Sequence, residues 1–137
     1  MSDERYQLST NDYLALDATA MADAVKTGEL TARMLLSAAQ ARCDAVNPQI
    51  NAVNMRHDEH ADSVLRARHH AGSEQLGALA GVPMLLKDLN TYLTGTVTTN
   101  GSRMLADAPP ATHNSTLVQR YEAAGMLIFG KTTSPEY

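Results

Sequence analysis

The chain has 137 residues, 44% of them hydrophobic, which is enough for one hydrophobic core and therefore for one domain. Its net charge is −4 at pH 7, and charges of both signs are scattered without a basic block, so nucleic acid is not expected as a partner. Cys43 is the only cysteine, which excludes an intrachain disulfide and indicates a reducing compartment.

The N-terminus and the hydropathy predict a cytoplasmic protein with no membrane partner. The first five residues are polar and lead into no apolar core, unlike a signal peptide. No apolar run approaches the length that crosses a bilayer.

The first part of the chain, residues 1–75, is predicted to be mostly helical. Residues 1–12 are polar and are expected to be loosely held. Apolar residues then recur at helical spacing, with Gly28 as a stop signal, Thr31 as an N-cap and Asn47-Pro48 as a second stop. Helices are expected at residues 13–29, 31–46 and 58–70, with a strand or an extended link at 50–56.

The cysteine and the histidines predict neither a nucleophile nor a metal site. Cys43 lies on the apolar stripe of the second helix, so we interpret it as a small core residue. His57 and His60 are three positions apart, a spacing that permits chelation, but no convincing further ligand set accompanies them. We interpret these two histidines, together with His69 and His70, as part of a solvated helix face.

The second part, residues 80–137, has the pattern of an α/β sheet with some parallel pairing. An apolar strand is predicted from Val82 to Lys87, followed by a Gly/Thr-rich loop at 94–102. A helix capped by Asn114 or Ser115 is expected to bury Leu117, Val118, Tyr121 and Ala124. The run Met126–Phe129 predicts a second strand, buried on both faces, and residues 130–137 are expected to form a loop.

Lys87 is the most informative residue of this half, because a lysine at the end of a buried strand costs free energy of desolvation. Proteins keep such a lysine when it is paired, or when a lowered pKa suits it to proton transfer. The alternative is an aliphatic stem that carries the ammonium group to solvent. The residues alone leave both interpretations open.

Residues 125–132 match G-x-x-x-x-G-K-[ST], the phosphate-binding P-loop. A P-loop follows a strand and opens a helix, so that helix N-terminal amides bind phosphate. Here the four intervening residues, Met126–Phe129, are themselves a predicted strand, and Pro135 stands where the next helix would grow. We therefore reject nucleotide binding.

Several short blocks, taken in order, resemble the amidase signature family. The resemblance covers nearly the whole chain, and its strength lies in the order and spacing of the blocks. They are Gly81-Val-Pro-(x)3-Lys87-Asp88, Gly101-Ser102, Ser115-x-Leu-Val-x-Arg-x-x-x-Ala-Gly125, Gly130-Lys-Thr and Pro135-Glu-Tyr.

The resemblance implies an α/β/α fold with a mixed sheet, and hydrolysis of small-molecule carboxylic amides, in some members with transfer of the released ammonia. It implies a Ser–Ser–Lys triad with no metal and no organic cofactor. Lys87 matches the catalytic lysine, which in its neutral form accepts a proton from a bridging serine. Lys131 matches a family motif, and we interpret it as a structural residue that leaves its strand for solvent.

The sequence departs from the family pattern where the nucleophile belongs. It contains no Gly-Gly-Ser-Ser-Gly-like segment, so Ser102, Ser115 and Ser134 are not assigned as nucleophiles. Asn114 stands where members often carry Asp. We therefore expect residues 1–137 to be the N-terminal part of a single amidase-like domain, incomplete on its C-terminal side, that supplies only Lys87 and is inactive alone.

The alternative is a non-catalytic module, or a complementing fragment, that acts through protein association. An incomplete sheet would leave the strand at Met126–Phe129 with an apolar face and an unpaired edge. We therefore expect self-association or a complementing chain.

Overall fold

A computed structural model describes residues 7–71 and 77–137 of the chain. The expectation for residues 1–6 lies outside this range. No helix among the described residues is long and apolar enough to cross a membrane. In chain order the elements are α1 (Thr10–Ala15), α2 (Ala18–Thr27), α3 (Ala32–Ile50), β1 (Val53–Arg56), α4 (Asp58–Ala71), β2 (Pro83–Lys87), a 3-10 turn (Arg103–Leu105), α5 (Thr116–Ala123) and β3 (Leu127–Thr132).

The three strands form one mixed sheet in the order β1-β3-β2. β3 is antiparallel to β1 and parallel to β2. The expectation that Met126–Phe129 exposes an unpaired edge is therefore wrong, because both neighbours of β3 are occupied and Leu127, Ile128 and Phe129 are all buried. The segment at 50–56, which the sequence left open, supplies the strand on its second side.

Helices cover both faces of the sheet, which confirms the predicted α/β/α arrangement. On one face Leu127 and Phe129 pack against α3 and α4 in a core that includes Cys43. On the other face Ile128 packs against Val118 of α5, together with Leu86 and Leu93. The interpretation of Cys43 as a core residue is confirmed.

Local hydrogen bonds set the helix boundaries. Two of these boundaries differ from the prediction. The helix predicted at 13–29 is two helices, because Asp17 leaves helical geometry and its carboxylate caps α2 by accepting from Ala20 N–H. α3 begins after the predicted N-cap Thr31 but continues through Pro48 to Ile50. The last turn, which contains Pro48, is stabilised by Asn51, which adopts left-handed geometry and donates its N–H to the Asn47 carbonyl.

β3 is longer than predicted and includes Gly130, Lys131 and Thr132, which were expected to form a loop. A Cβ atom at Gly130 would overlap the Met55 carbonyl oxygen on β1, so only glycine permits this close strand pairing. Because these residues lie within a strand and residues 133–137 form no helix, the rejection of the P-loop is confirmed.

Leu127 and Leu117 provide a matched test of the core. Leu127 is fully buried, whereas Leu117, which the sequence placed on the buried side of α5, is 45% exposed. Leu127→Ala is expected to lower the free energy of unfolding by about 2–5 kcal/mol, and Leu117→Ala by less than about 1 kcal/mol. Urea denaturation of both variants measures the difference, and equal losses would contradict this packing.

Candidate active site

The candidate site lies at the carboxyl ends of the parallel strands β2 and β3, the edge where α/β proteins commonly bind ligands. The register pairs Leu86 with Lys131 and Lys87 with Thr132, so the two strands end side by side. The chain then leaves β2 through the predicted Gly/Thr-rich loop at 94–102, which returns to this edge.

Lys87 is the last residue of β2, and its side chain is exposed. Within residues 7–71 and 77–137 its Nζ atom makes no hydrogen bond or ion pair. Its main chain, in contrast, is held firmly. Its carbonyl oxygen accepts a short hydrogen bond from Thr91 Oγ1, and the next N–H, of Asp88, donates to the Thr132 carbonyl at 3.0 Å. The structure thus combines a fixed backbone with an ammonium group that reaches solvent.

Asp88 is completely buried and binds the loop, a role that the sequence did not predict. Its Oδ1 atom accepts from the Thr99 N–H at 2.8 Å. Its Oδ2 atom accepts from Asn54 Nδ2 at 3.0 Å and from Thr99 Oγ1 through a short bond. No ion pair joins this carboxylate to Lys87 among the described residues, so its hydrogen bonds serve the loop and β1.

Lys131 is also completely buried, so the expectation that it leaves β3 for solvent is wrong. Its Nζ atom donates to the Val97 carbonyl at 2.5 Å and to Thr98 Oγ1 at 3.0 Å. Burial lowers the pKa of Lys131, and the charge of Asp88 opposes that shift. The buried lysine of this edge is therefore Lys131, and the accessible one is Lys87.

The three serines excluded as nucleophiles have local bonding roles. Ser102 Oγ donates to Glu136 Oε1 at 2.7 Å, and Ser134 Oγ donates to the Pro135 carbonyl at 3.0 Å. Ser115 Oγ caps α5 by accepting from the Val118 N–H. In the described part of the chain no hydrogen bond joins a serine hydroxyl to Lys87.

His69 and His70 are exposed in the last turn of α4, as predicted, whereas His57 and His60 are partly buried, which corrects the prediction for those two. His60 Nε2 lies 3.1 Å from Glu122 Oε1. His57 is half-buried, and its Nε2 atom is buried with no partner among the described residues. No cluster of three or more potential metal ligands occurs in the described part of the chain.

Asn114 has a specific bonding role that an aspartate could not fill. Its amide Nδ2 donates to Glu122 Oε2 at 2.9 Å, while its Oδ1 accepts from the Thr94 N–H and from Thr94 Oγ1, both at 2.8 Å. A carboxylate at position 114 would face the carboxylate of Glu122 directly. The departure from the expected aspartate therefore fits the local electrostatics of this chain.

Together these features define an α/β protein with a candidate site at the carboxyl ends of parallel strands, centred on an accessible lysine and a hydroxyl-rich loop. The profile of the Amidase family matches residues 34–137. The chain belongs to this family, the amidase signature enzymes, as its blocks predicted.

Three relatives illustrate the match. The chain is 40% identical over 121 residues to the 6-aminohexanoate-cyclic-dimer hydrolase of Paenarthrobacter ureafaciens, covering 88% of this chain and 23% of that protein. It is also 40% identical over 121 residues to one subunit of the glutamyl-tRNA(Gln) amidotransferase of Deinococcus radiodurans, covering 88% and 24%. A solved structure of a 6-aminohexanoate cyclic dimer hydrolase superposes with a TM-score of 0.80 at 36% identity, covering 95% and 25%.

The chain thus spans about a quarter of the length of the curated relatives that it matches.

His57 makes the stability depend on pH. Burial lowers its pKa, and the charges of Lys131 and His60 lower it further, against Asp58 and Asp88. Between the folded pKa and about 6.5 the unfolded chain binds more protons than the folded protein. The contribution of His57 to the free energy of unfolding is therefore at its maximum above about pH 6.5, and it falls as the pH drops below that value.

The matched variants are His57→Gln and His113→Gln, since His113 is exposed. Urea denaturation between about pH 7.5 and pH 5 is expected to show a weaker acid dependence in His57→Gln and the wild-type dependence in His113→Gln. A wild-type dependence in His57→Gln would show that the imidazole is not held neutral by its surroundings.

Proposed function

We propose that this chain supplies the general base of an amidase and that Lys87 is that base, the lysine of a Ser–Ser–Lys triad. The observation that carries the proposal is the combination at the end of β2: an Nζ atom without a counter-ion in the described structure, on a main chain held by Thr91 and Thr132. Membership of the family supports it.

The proposed reaction is acyl transfer through a serine. Neutral Lys87 accepts a proton from a bridging serine, which takes the proton of the nucleophilic serine as that oxygen attacks the amide carbonyl. Backbone N–H groups stabilise the tetrahedral oxyanion. The C–N bond breaks as the proton returns through the relay to the leaving nitrogen, and water then hydrolyses the acyl-enzyme to the carboxylic acid.

In this division of labour the described residues provide the base, and other residues provide the serines and the oxyanion site. Their source is a downstream segment of the same polypeptide or a complementing chain. We propose accordingly that residues 1–137 form the N-terminal part of one amidase-like domain.

Covering Lys87 is a physical requirement of this proposal, because an amine acts as a base only when neutral and burial favours the neutral form. Side chains alternate along β2, so Lys87 shares a face with Pro83 and Leu85. Those two residues line an open, mainly apolar groove of about 320 Å³, with Phe129 and Val53. A segment packed into this groove would also approach Lys87.

The same groove supports a second candidate function, that of a module that acts by association. The intact mass and the release of ammonia distinguish the two candidate functions. If the native protein has an intact mass of 14.7 kDa and releases no ammonia from amides, association is favoured. A larger mass together with amide hydrolysis favours the amidase.

The fate of the ammonia separates a hydrolase from a component of an amidotransferase, since the relatives include both kinds of protein. Free ammonia released with a simple carboxylic amide indicates a hydrolase. Ammonia formation that requires an acceptor substrate indicates a transferase.

The decisive variant is Lys87→Ala, made in the complete open reading frame that contains residues 1–137. Loss of the base is expected to lower kcat/KM for amide hydrolysis by about 10²–10⁴-fold. Lys87→Arg is expected to lose as much, because a guanidinium group stays protonated.

The control is Lys26→Ala, which removes an exposed lysine from α2 and should retain wild-type kinetics. The assignment of Lys87 is wrong if Lys87→Ala hydrolyses amides at the wild-type rate.

A further inference from the structure

We propose that Asp88 and Lys131 act together as positioning residues for the candidate active site. This inference rests on the proposed role of Lys87. The two groups do not touch the substrate. They fix the main chain of Lys87 and the loop at Val97–Thr99, so that the proposed base and this loop keep a constant position relative to each other.

The first observation is that the two buried charges bind three consecutive loop residues. Lys131 Nζ holds the Val97 carbonyl and Thr98 Oγ1, and the Asp88 carboxylate holds both the N–H and the hydroxyl of Thr99. A loop segment restrained from both strands at successive positions has little freedom to shift relative to β2 and β3.

The second observation is the direct link to the proposed base. Asp88 follows Lys87 in the chain, and its N–H bonds to Thr132, the residue beside Lys131 on β3. Any displacement of the Asp88 side chain or of the β3 end therefore moves the peptide that carries Lys87. Preorganisation of this kind matters because a displacement of about 1 Å can cost about 10²-fold in rate.

The third observation is that the two buried groups lie at the same edge without a direct ion pair, and that the charge of Asp88 opposes the cost of burying Lys131. Both side chains are completely buried, and no direct salt bridge between them occurs in the described structure. Each has its own polar partners, and the attraction of Asp88 supports the charged form of Lys131. Such an arrangement costs free energy of desolvation, but it fixes the positions of both side chains and of the loop residues that they bind. A well-packed apolar pair would contribute to stability without fixing those positions.

The restrained loop continues into a second close contact. Gly101, in left-handed geometry, packs so tightly against Ser134 and Pro135 that a Cβ atom would overlap both carbonyl oxygens. The Tyr137 N–H donates to the Asn100 carbonyl at 3.0 Å. The loop thereby also sets the path of residues 134–137.

The test is a kinetic double-mutant cycle in the complete open reading frame. Lys131→Met removes the ammonium group while keeping the length of the side chain. It is expected to lower kcat for amide hydrolysis by about 10- to 100-fold with little change in KM. All four proteins of the cycle are also assayed with one activated aryl ester, so that a residual rate is measurable without Lys87. On that substrate Lys131→Met should lower kcat in the wild-type background and cause no further loss in the Lys87→Ala background, since it acts through Lys87.

Thr98→Val tests the same claim if Lys131→Met does not fold, because it removes only one acceptor of the Lys131 ammonium. A smaller fall in kcat, again absent in the Lys87→Ala background, is expected. The matched control is Thr27→Val, which removes a hydroxyl that bonds to the Ala24 carbonyl at the end of α2 and should leave kcat and KM unchanged.

The outcomes separate this inference from the proposed function. Equal loss in the wild-type and Lys87→Ala backgrounds would mean that the pair acts independently of Lys87, and it would overturn the inference while leaving Lys87 as the base. Wild-type kcat in both Lys131→Met and Thr98→Val would overturn it as well. An active Lys87→Ala enzyme would refute the proposed function itself.

Discussion

Two buried charges of opposite sign, Asp88 and Lys131, constrain the edge of the sheet at the carboxyl ends of β2 and β3. Each would be costly alone, because a desolvated charge without partners loses its hydration and gains nothing in return. Each is instead hydrogen-bonded to the loop that connects β2 to the rest of the fold. The position of that loop, the path of residues 134–137 and the anchoring of Lys87 all follow from this arrangement.

Two irregularities of strand pairing place these groups together. The register between β2 and β3 skips Phe129, so that Lys131 pairs with Leu86 and shares its face of the sheet. The register between β1 and β3 skips Asn54, whose side chain reaches Asp88. Bulges often redirect side chains near active sites, and here they bring the Asn54 amide to the Asp88 carboxylate and the Lys131 ammonium group to the loop at Val97–Thr99.

The sequence predicted the main elements because their signals are local. Caps such as Thr31 and the stop at Gly28 depend on neighbouring residues, and the strands at Pro83–Lys87 and Leu127–Thr132 contain clear apolar runs. Lys87 was assigned as the candidate base through the ordered blocks of its family, and that assignment stays a proposal. The neighbourhood of Lys87 was only partly predictable, since it depends on contacts between residues distant in the chain.

Lys131 shows most clearly what the sequence alone could not predict. Simple alternation along β3 puts Lys131 on the face of Leu127 and Phe129, and a lysine that follows a strand usually reaches solvent. Only the bulge at Phe129 and the carbonyl of Val97 make its burial intelligible, and neither has a signature in the sequence. The sequence did not predict the burial of Asp88 for the same reason, because its partners Asn54 and Thr99 are 34 and 11 residues away in the chain.

The most direct test of the central claim is a thermodynamic double-mutant cycle on Asp88→Asn and Lys131→Met, measured by urea denaturation. If the two buried charges compensate each other, each single variant lowers the free energy of unfolding by about 3–5 kcal/mol, because it leaves one uncompensated charge. The double variant then loses less than the sum by at least about 1 kcal/mol. Losses that add within about 0.5 kcal/mol would show that the charges act independently, and that the edge is not organised by their pairing.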